Sequence, residues 1–201
     1  MQSRSDIYVG AALSVVIGYD MVDFRGISVI IVVIKKYRLC GKKKEGKNIM
    51  IRIYEVGERT ENIIQRFTEI WESSVRATHL FLTDDEVERI KGCVPQALKN
   101  VEKLTAAENE IGETVGFMGT ENGRLEMLFL LAEKRGNGTG KMLLEYGIKM
   151  YGINELTVNE QNPQAVGFYE HMGFEVYKRT EHDEEGGPYP LLYMRLRKGG
   201  I

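Results

Sequence analysis

Three glycines on alternate residues, Gly136, Gly138 and Gly140, separate a leucine-rich run (Arg124–Ala132) from a helical one (Gly138–Tyr151). An apolar strand that ends in a glycine loop and continues as a helix restricts the fold more than any other feature of this chain. Glycine lets backbone N–H groups approach an anion, and a helix N-terminus supplies unpaired donors and the positive end of the helix dipole. The loop therefore reads as a phosphate or pyrophosphate cradle, the plain alternative being a ligand-free turn. It is not a P-loop: Met142 follows Gly140-Lys141, and Arg135 stands at the first-glycine position. Nor is it the dinucleotide fingerprint, because the spacing is G-x-G-x-G.

The surrounding pattern is mixed α/β. Met50–Val56 alternates as a strand, and Glu61–Thr78 carries Ile63, Ile64, Phe67, Ile70, Trp71 and Val75 at helical spacing. Thr83 and Glu86 form a capping box that opens a second helix to about Leu98, with Pro95 predicted to kink or break it. Residues 103–108 and 114–120 read as strands. Asn122-Gly123 is a hairpin turn leading into the long strand Arg124–Ala132. After the loop and its helix come a strand at Leu156–Asn159 and a short helix capped by Asn162 with Pro163 at its first position. Gly173 closes that helix, and strands follow at Phe174–Arg179 and Leu191–Leu196. The order predicts an antiparallel front half and one parallel crossover around the glycine loop.

Two cysteines, Cys40 and Cys93, give neither a disulfide framework nor metal spacing, which fits a reducing compartment and no metal. Charge is uneven. Residues 1–49 hold nine Lys and Arg against four Asp and Glu; the remainder holds 18 against 25. An acidic body disfavours nucleic acid and favours a cationic acceptor. Residues 1–49 contain two apolar runs, Ile7–Tyr19 and Gly26–Ile34, each too short to span a membrane, then a basic cluster from Lys35 to Lys47. A β-hairpin and a membrane-surface anchor are both open readings. A third is that Met50 is the true initiator, because Lys44-Glu45-Gly46 can be encoded by a purine-rich ribosome-binding sequence at a suitable distance before it. On that reading 1–49 lies outside the native fold and 50–201 is the domain.

At this point two stretches resemble one known family. Arg135-Gly136-Asn137-Gly138-Thr139-Gly140 is similar to the R/Q-x-x-G-x-G/A motif of the GCN5-related N-acetyltransferases (GNAT), and Asn162 to Phe174 is similar to their N-x-x-A-x-x-F-Y-x-x-x-G-F motif. The resemblance covers about 50–197. Ser73–Leu82 and Gly186–Leu196 also look like the bacterial YjaB-type branch of peptidyl-lysine acetyltransferases. It implies a twisted, mostly antiparallel sheet whose fourth and fifth strands splay apart around acetyl-CoA, flanked by helices.

The resemblance also implies roles for particular residues. Backbone N–H groups from Gly136 through Asn137, Gly138, Thr139 and Gly140 to Lys141 take the pyrophosphate, with Arg135 and Asn162 as further contacts. Backbone groups of Leu128, Phe129 and Leu130 pair with the pantetheine arm. The family usually has Pro where this chain has Ala132. Tyr169 matches the tyrosine facing the CoA sulfur; its reference pKa of about 10 keeps it protonated as an acid. For the base, Glu126 shares a strand face with Leu128 and Leu130 by period two, and His79 lies in the acceptor loop between the first helices. Glu160, His171, His182 or a water chain are weaker candidates. Tyr189, after the acidic turn Glu181–Glu185 and the Gly186-Gly187 pivot, is expected to line the acceptor pocket. The implied protein is a cytoplasmic bacterial acetyltransferase, a monomer or homodimer, acting on a primary amine or protein lysine. The alternatives are an idle acyl-CoA sensor on the same fold and a membrane-tethered interaction protein.

Overall fold

A computed structural model describes residues 37–40, 50–184 and 186–199. Strand β1 (Tyr37–Cys40) is followed by β2 (Met50–Glu55), helices α1 (Glu61–Thr78) and α2 (Asp84–Asn100), and strands β3 (Lys103–Glu108), β4 (Thr114–Glu121) and β5 (Arg124–Leu130). A 3-10 turn (Ala132–Lys134) leads to α3 (Thr139–Tyr151), β6 (Glu155–Asn159), α4 (Pro163–His171), β7 (Phe174–Thr180) and β8 (Leu191–Leu196). All strands join one sheet in the order β1-β2-β3-β4-β5-β6-β8-β7. Every neighbouring pair is antiparallel except β5 and β6.

The predicted element order holds, with β1 added in front, so the predicted fourth and fifth strands are β5 and β6. Tyr37–Cys40 falls within the segment read as lying outside the fold and pairs with β2. Residues 1–36 and 41–49 lie outside the described residues, as do the two apolar runs on which the hairpin and anchor readings rest.

The local causes are visible. Thr60 caps α1, and Thr83 with Glu86 completes the capping box of α2. That second helix runs without a break through Pro95, where the sequence predicted a kink or a break, to Asn100; Val94 and Leu98 on either side are buried, so core packing carries the helix past the proline. The β4–β5 hairpin turns at Asn122 (φ 49°) and Gly123 (φ 75°), both left-handed, as a two-residue primed turn requires. The leucine-rich run ends as strand at Leu130 and turns at Ala132, two residues earlier than its composition indicated.

Two cores cover the two faces of the sheet. One joins α3 and α4 to the sheet through Leu143, Leu144, Met118, Leu156 and Phe174. The other packs α1 and α2 through Phe67, Ile70, Leu98, Leu104 and Phe117. Gly147 sets the approach of α3: a Cβ there would sit 2.8 Å from Met118 Cε.

Candidate active site

Strands β5 and β6 pair only at Arg124–Glu155 and Leu125–Leu156. Beyond that they diverge, β5 staying with β4 up to Leu130 and β6 staying with β8. The β6-facing backbone edge of β5 is thus left without a strand partner over Leu128, Phe129 and Leu130, and such groups need another partner. A cleft of about 420 Å³ opens there, lined by these three residues, the glycine loop and α4.

Gly136 (φ 71°) and Gly138 (φ 91°) are both left-handed, a conformation that other residues adopt at a cost. Gly138 is also the N-cap of α3 and offers no side chain of its own to cap the helix. Gly140 is closely packed: a Cβ there would stand 3.2 Å from Leu130 Cδ1, which would have to shift slightly. Asn137 turns inward, its Oδ1 accepting from Thr139 N (3.0 Å) and Thr139 Oγ1 (2.8 Å), and Thr139 is buried. Their side chains shape the loop and leave its backbone to face the cleft. Lys141 lines the cleft and lies 3.5 Å from Glu145.

Arg135 also lines the cleft, but its Nη2 reaches α1, donating to Ser74 Oγ (2.8 Å), Ser74 O (3.3 Å) and Thr78 Oγ1 (3.5 Å). Ala132, at the usual proline position, donates its N–H to Ser73 Oγ (3.3 Å), a bond proline cannot make. Both contacts tie the loop to α1.

Asn162 is buried, caps α4 through Oδ1 (3.2 Å from Ala165 N) and lines the cleft. Tyr169 sits on the same helix, edge-on to Phe168 (5.2 Å) and Phe174 (6.2 Å). Burial pushes its phenol well above the ordinary value, so it is protonated throughout the neutral range.

A second cleft, of about 440 Å³, lies between the α1–α2 loop, β5, β6 and the segment before β8. It brings together Glu126, His79 and Tyr189. His79 lines both clefts. It caps the C-terminus of α1, its N–H bonding to Val75 O (2.8 Å), and its Nδ1 lies 2.9 Å from Thr78 Oγ1. Burial, with the Arg135 charge second, holds its imidazole below the ordinary value, so it is neutral at pH 7.

Glu126 does not share a face with Leu128 and Leu130. The β4–β5 register jumps from Gly119–Met127 to Thr120–Leu125, which makes Glu126 the extra residue of a β-bulge. Leu125 takes the face that period two assigned to Glu126 and packs in the same core as Leu128 and Leu130. The bulge re-aims Glu126 into the second cleft, 3.0 Å from Arg124 Nε. Burial raises its carboxyl and the Arg124 charge opposes the rise.

Tyr189 lines the second cleft, packs 5.6 Å from Phe81 and donates its hydroxyl to Glu86. That bond, with those from Thr83, holds Glu86 down to about 2. In the preceding turn Asp183 Oδ1 accepts from Gly187 N (2.6 Å) and Asp183 O from Gly186 N (3.1 Å). Of the weaker base candidates, His171 lines the first cleft, whereas Glu160 is paired with Arg179 at 2.7 Å.

The sequence reading passed over Ser74 and Thr78, which line the first cleft. Their signal was present: they continue the inward stripe of Phe67 and Trp71 on α1 with hydroxyls where apolar residues belong. Among the described residues, no group of His, Cys, Asp and Glu could hold a metal, and no helix is long and apolar enough to cross a membrane.

Comparison with known proteins points one way. A family model described as an acetyltransferase (GNAT) domain matches residues 80–196. The peptidyl-lysine N-acetyltransferase YjaB of Salmonella typhimurium is 41% identical over 130 residues, 65% of this chain and 89% of that one. YjaB of Escherichia coli K12 is 40% identical over 130 residues, 65% of this chain and 88% of that protein. The solution structure of apo-form YjaB from Escherichia coli superposes with a TM-score of 0.65 at 36% identity, covering 72% of this chain and 96% of that one.

Proposed function

The chain belongs to the GNAT acetyltransferase family, and we propose that it transfers the acetyl group of acetyl-CoA to the side-chain amine of a protein lysine. The observation that carries this reading is that one residue, His79, lines both clefts. One cleft has the features of a pyrophosphate and pantetheine site; the other is suited to an alkylammonium.

The donor fits the first cleft on its own chemistry. The N-terminus of α3, whose N-cap Gly138 brings no side chain, and the left-handed Gly136 and Gly138 offer N–H groups and a positive dipole end to a pyrophosphate. The free edge of β5 offers backbone groups to an amide-bearing arm. Acetyl-CoA supplies an activated acyl group as a thioester, and the protein's own groups do the rest.

In the second cleft, Phe81, Leu82, Ile90 and Tyr189 give an apolar wall for a chain of methylenes. Glu126 and Glu184 give negative charge for the ammonium. His79, neutral at pH 7, takes a proton from that ammonium and leaves the amine free to attack. Tyr169, held in its protonated form, donates a hydrogen bond to the departing sulfur. Alignment of the two partners in clefts that share His79 supplies much of the acceleration. We take 50–201 as the catalytic unit; N-terminal mass spectrometry of the native protein decides where the chain starts.

The test is an acetyl-transfer assay on lysine peptides, read as free thiol and as a mass gain of one acetyl group. Thiol release with peptide acetylation supports the reading. Acetyl-CoA binding with no transfer to any amine in a broad screen refutes it in favour of an acyl-CoA sensor.

A further inference from the structure

Thr78 is placed where an apolar residue would close the inward stripe of α1, and it is the last residue of that helix. Its hydroxyl has one proton and two lone pairs. The oxygen lies 2.8 Å from Ser74 O, which can only accept, so the proton goes there. The two lone pairs then face His79 Nδ1 at 2.9 Å and Arg135 Nη2 at 3.5 Å. Arginine can only donate. For the hydroxyl to be satisfied on all sides, His79 Nδ1 carries a hydrogen and donates it. A neutral imidazole has one N–H, so its lone pair lies on Nε2.

We infer that Thr78 is a positioning residue that fixes the Nδ1–H tautomer of His79 and keeps the Nε2 lone pair available to the acceptor ammonium. The inference rests on the reading of His79 as the base. The opposite arrangement, with the Thr78 proton on Nδ1, would give the ring an Nε2–H donor, which cannot take a proton from an ammonium. Ser74 extends the same device one turn back. Its Oγ receives Arg135 at 2.8 Å, so the guanidinium that begins the glycine loop also holds the far side of the Thr78 oxygen. The loop that takes the donor and the residue that activates the acceptor are thereby joined through one threonine.

The proton step balances simply. R–NH3+ and neutral His79 become R–NH2 and imidazolium, and the imidazolium returns its proton to solvent. The second proton lost by the nitrogen accounts for the thiol of free CoA, so each acetyl transfer releases one net proton.

The experiment uses the full chain labelled with nitrogen-15 in histidine. Its histidines are His79, His171 and His182, and a His79→Gln variant identifies the His79 signals. Long-range nitrogen–proton correlation spectra at pH 7.5 report which ring nitrogen is protonated. We expect His79 in the Nδ1–H form in the wild type and in Thr78→Ser, and loss of that form in Thr78→Val. Turnover should fall about 10- to 100-fold in Thr78→Val, since a base held in the wrong tautomer is disabled. Acetyl-CoA KM should change much less, and Thr78→Ser should restore turnover. An Nε2–H form in the wild type, or an unchanged tautomer in Thr78→Val, overturns the inference. The wild-type and Thr78→Ser spectra decide it even where Thr78→Val does not fold. If the tautomer is as inferred but His79→Gln turns over at the wild-type rate, the base assignment is what fails, and the inference falls with it.

Discussion

Gly138→Ala separates backbone conformation from space in the glycine loop. Gly138 has φ 91°, and no atom lies within 4 Å of where a Cβ would stand. The alanine therefore meets no clash, and its cost is conformational, about 1–2 kcal/mol for a left-handed residue. In a domain of this size each kcal/mol moves Tm by roughly 2–4 °C, so the ligand-free variant should melt about 2–8 °C below the wild type. Acetyl-CoA at a hundred times its Kd stabilises by about 2.7 kcal/mol, or roughly 5–11 °C on the same scale. If Gly138 holds the α3 N-terminus open to the pyrophosphate, the variant should lose most of that rise, because strain relief swings the N–H groups away. Gly138→Asp should lose it more completely, since a carboxylate at the positive end of α3 competes with the pyrophosphate. Thermal melts with and without acetyl-CoA measure both quantities. A folded Gly138→Asp protein that keeps the full wild-type rise refutes the loop assignment.

Tyr169→Phe should lower turnover about 10- to 1000-fold with little change in acetyl-CoA affinity, as loss of one proton donor would; unchanged turnover with chemistry shown to be rate-limiting counts against the role. Added salt should raise the acceptor KM, because the carboxylates of the second cleft attract a cation over distances that ions screen beyond about 8 Å, and initial rates on a lysine peptide from low to physiological ionic strength measure it. Tyr189→Ala should alter acceptor KM or preference through the loss of its contacts with Phe81 and Glu86; loss of folding with unaltered preference would mark Tyr189 as packing alone. His79 lies below its ordinary value of about 6.5 when folded, so the unfolded chain binds that proton at higher pH than the native one. Stability should therefore fall as pH drops below about 6.5, and His79→Gln should flatten that part of a pH series of unfolding curves.

The elements set by local patterning were legible. The apolar stripe of α1, the Thr83 box, the Asn122-Gly123 turn and the Asn162-Pro163 start of α4 each carry their cause within a few residues. So was the parallel crossover around the glycine loop, whereas the splay of β5 from β6 came only from the resemblance to the GNAT family. Glu126 was not legible. Period two holds along a strand only while its partner keeps step, and the bulge depends on how β4 matches β5, which neither sequence states alone. The partners of the Arg135 side chain were not legible for a related reason: its Nη2 lies against Ser74 and Thr78, residues about sixty positions away in sequence. That α2 would continue through Pro95 was not legible either, because propensity takes no account of the buried Val94 and Leu98 on either side.

The choice between the two candidate bases follows from the same geometry. Glu126 borders the second cleft and not the first, with Arg124 at 3.0 Å; burial raises its carboxyl and the Arg124 charge only partly offsets the rise. A carboxylate so placed can attract an ammonium but stands away from the cleft assigned to the thioester. His79 has the complementary properties. It borders both clefts, burial keeps it neutral, and Thr78 leaves its outer nitrogen unprotonated. On the proposed reading, docking and deprotonation thus fall to different residues. Removing the charge at Glu126 should act chiefly on acceptor KM, whereas removing the imidazole at His79 should act chiefly on kcat. A Glu126→Gln variant whose kcat collapses while its acceptor KM stays fixed would reverse the two assignments.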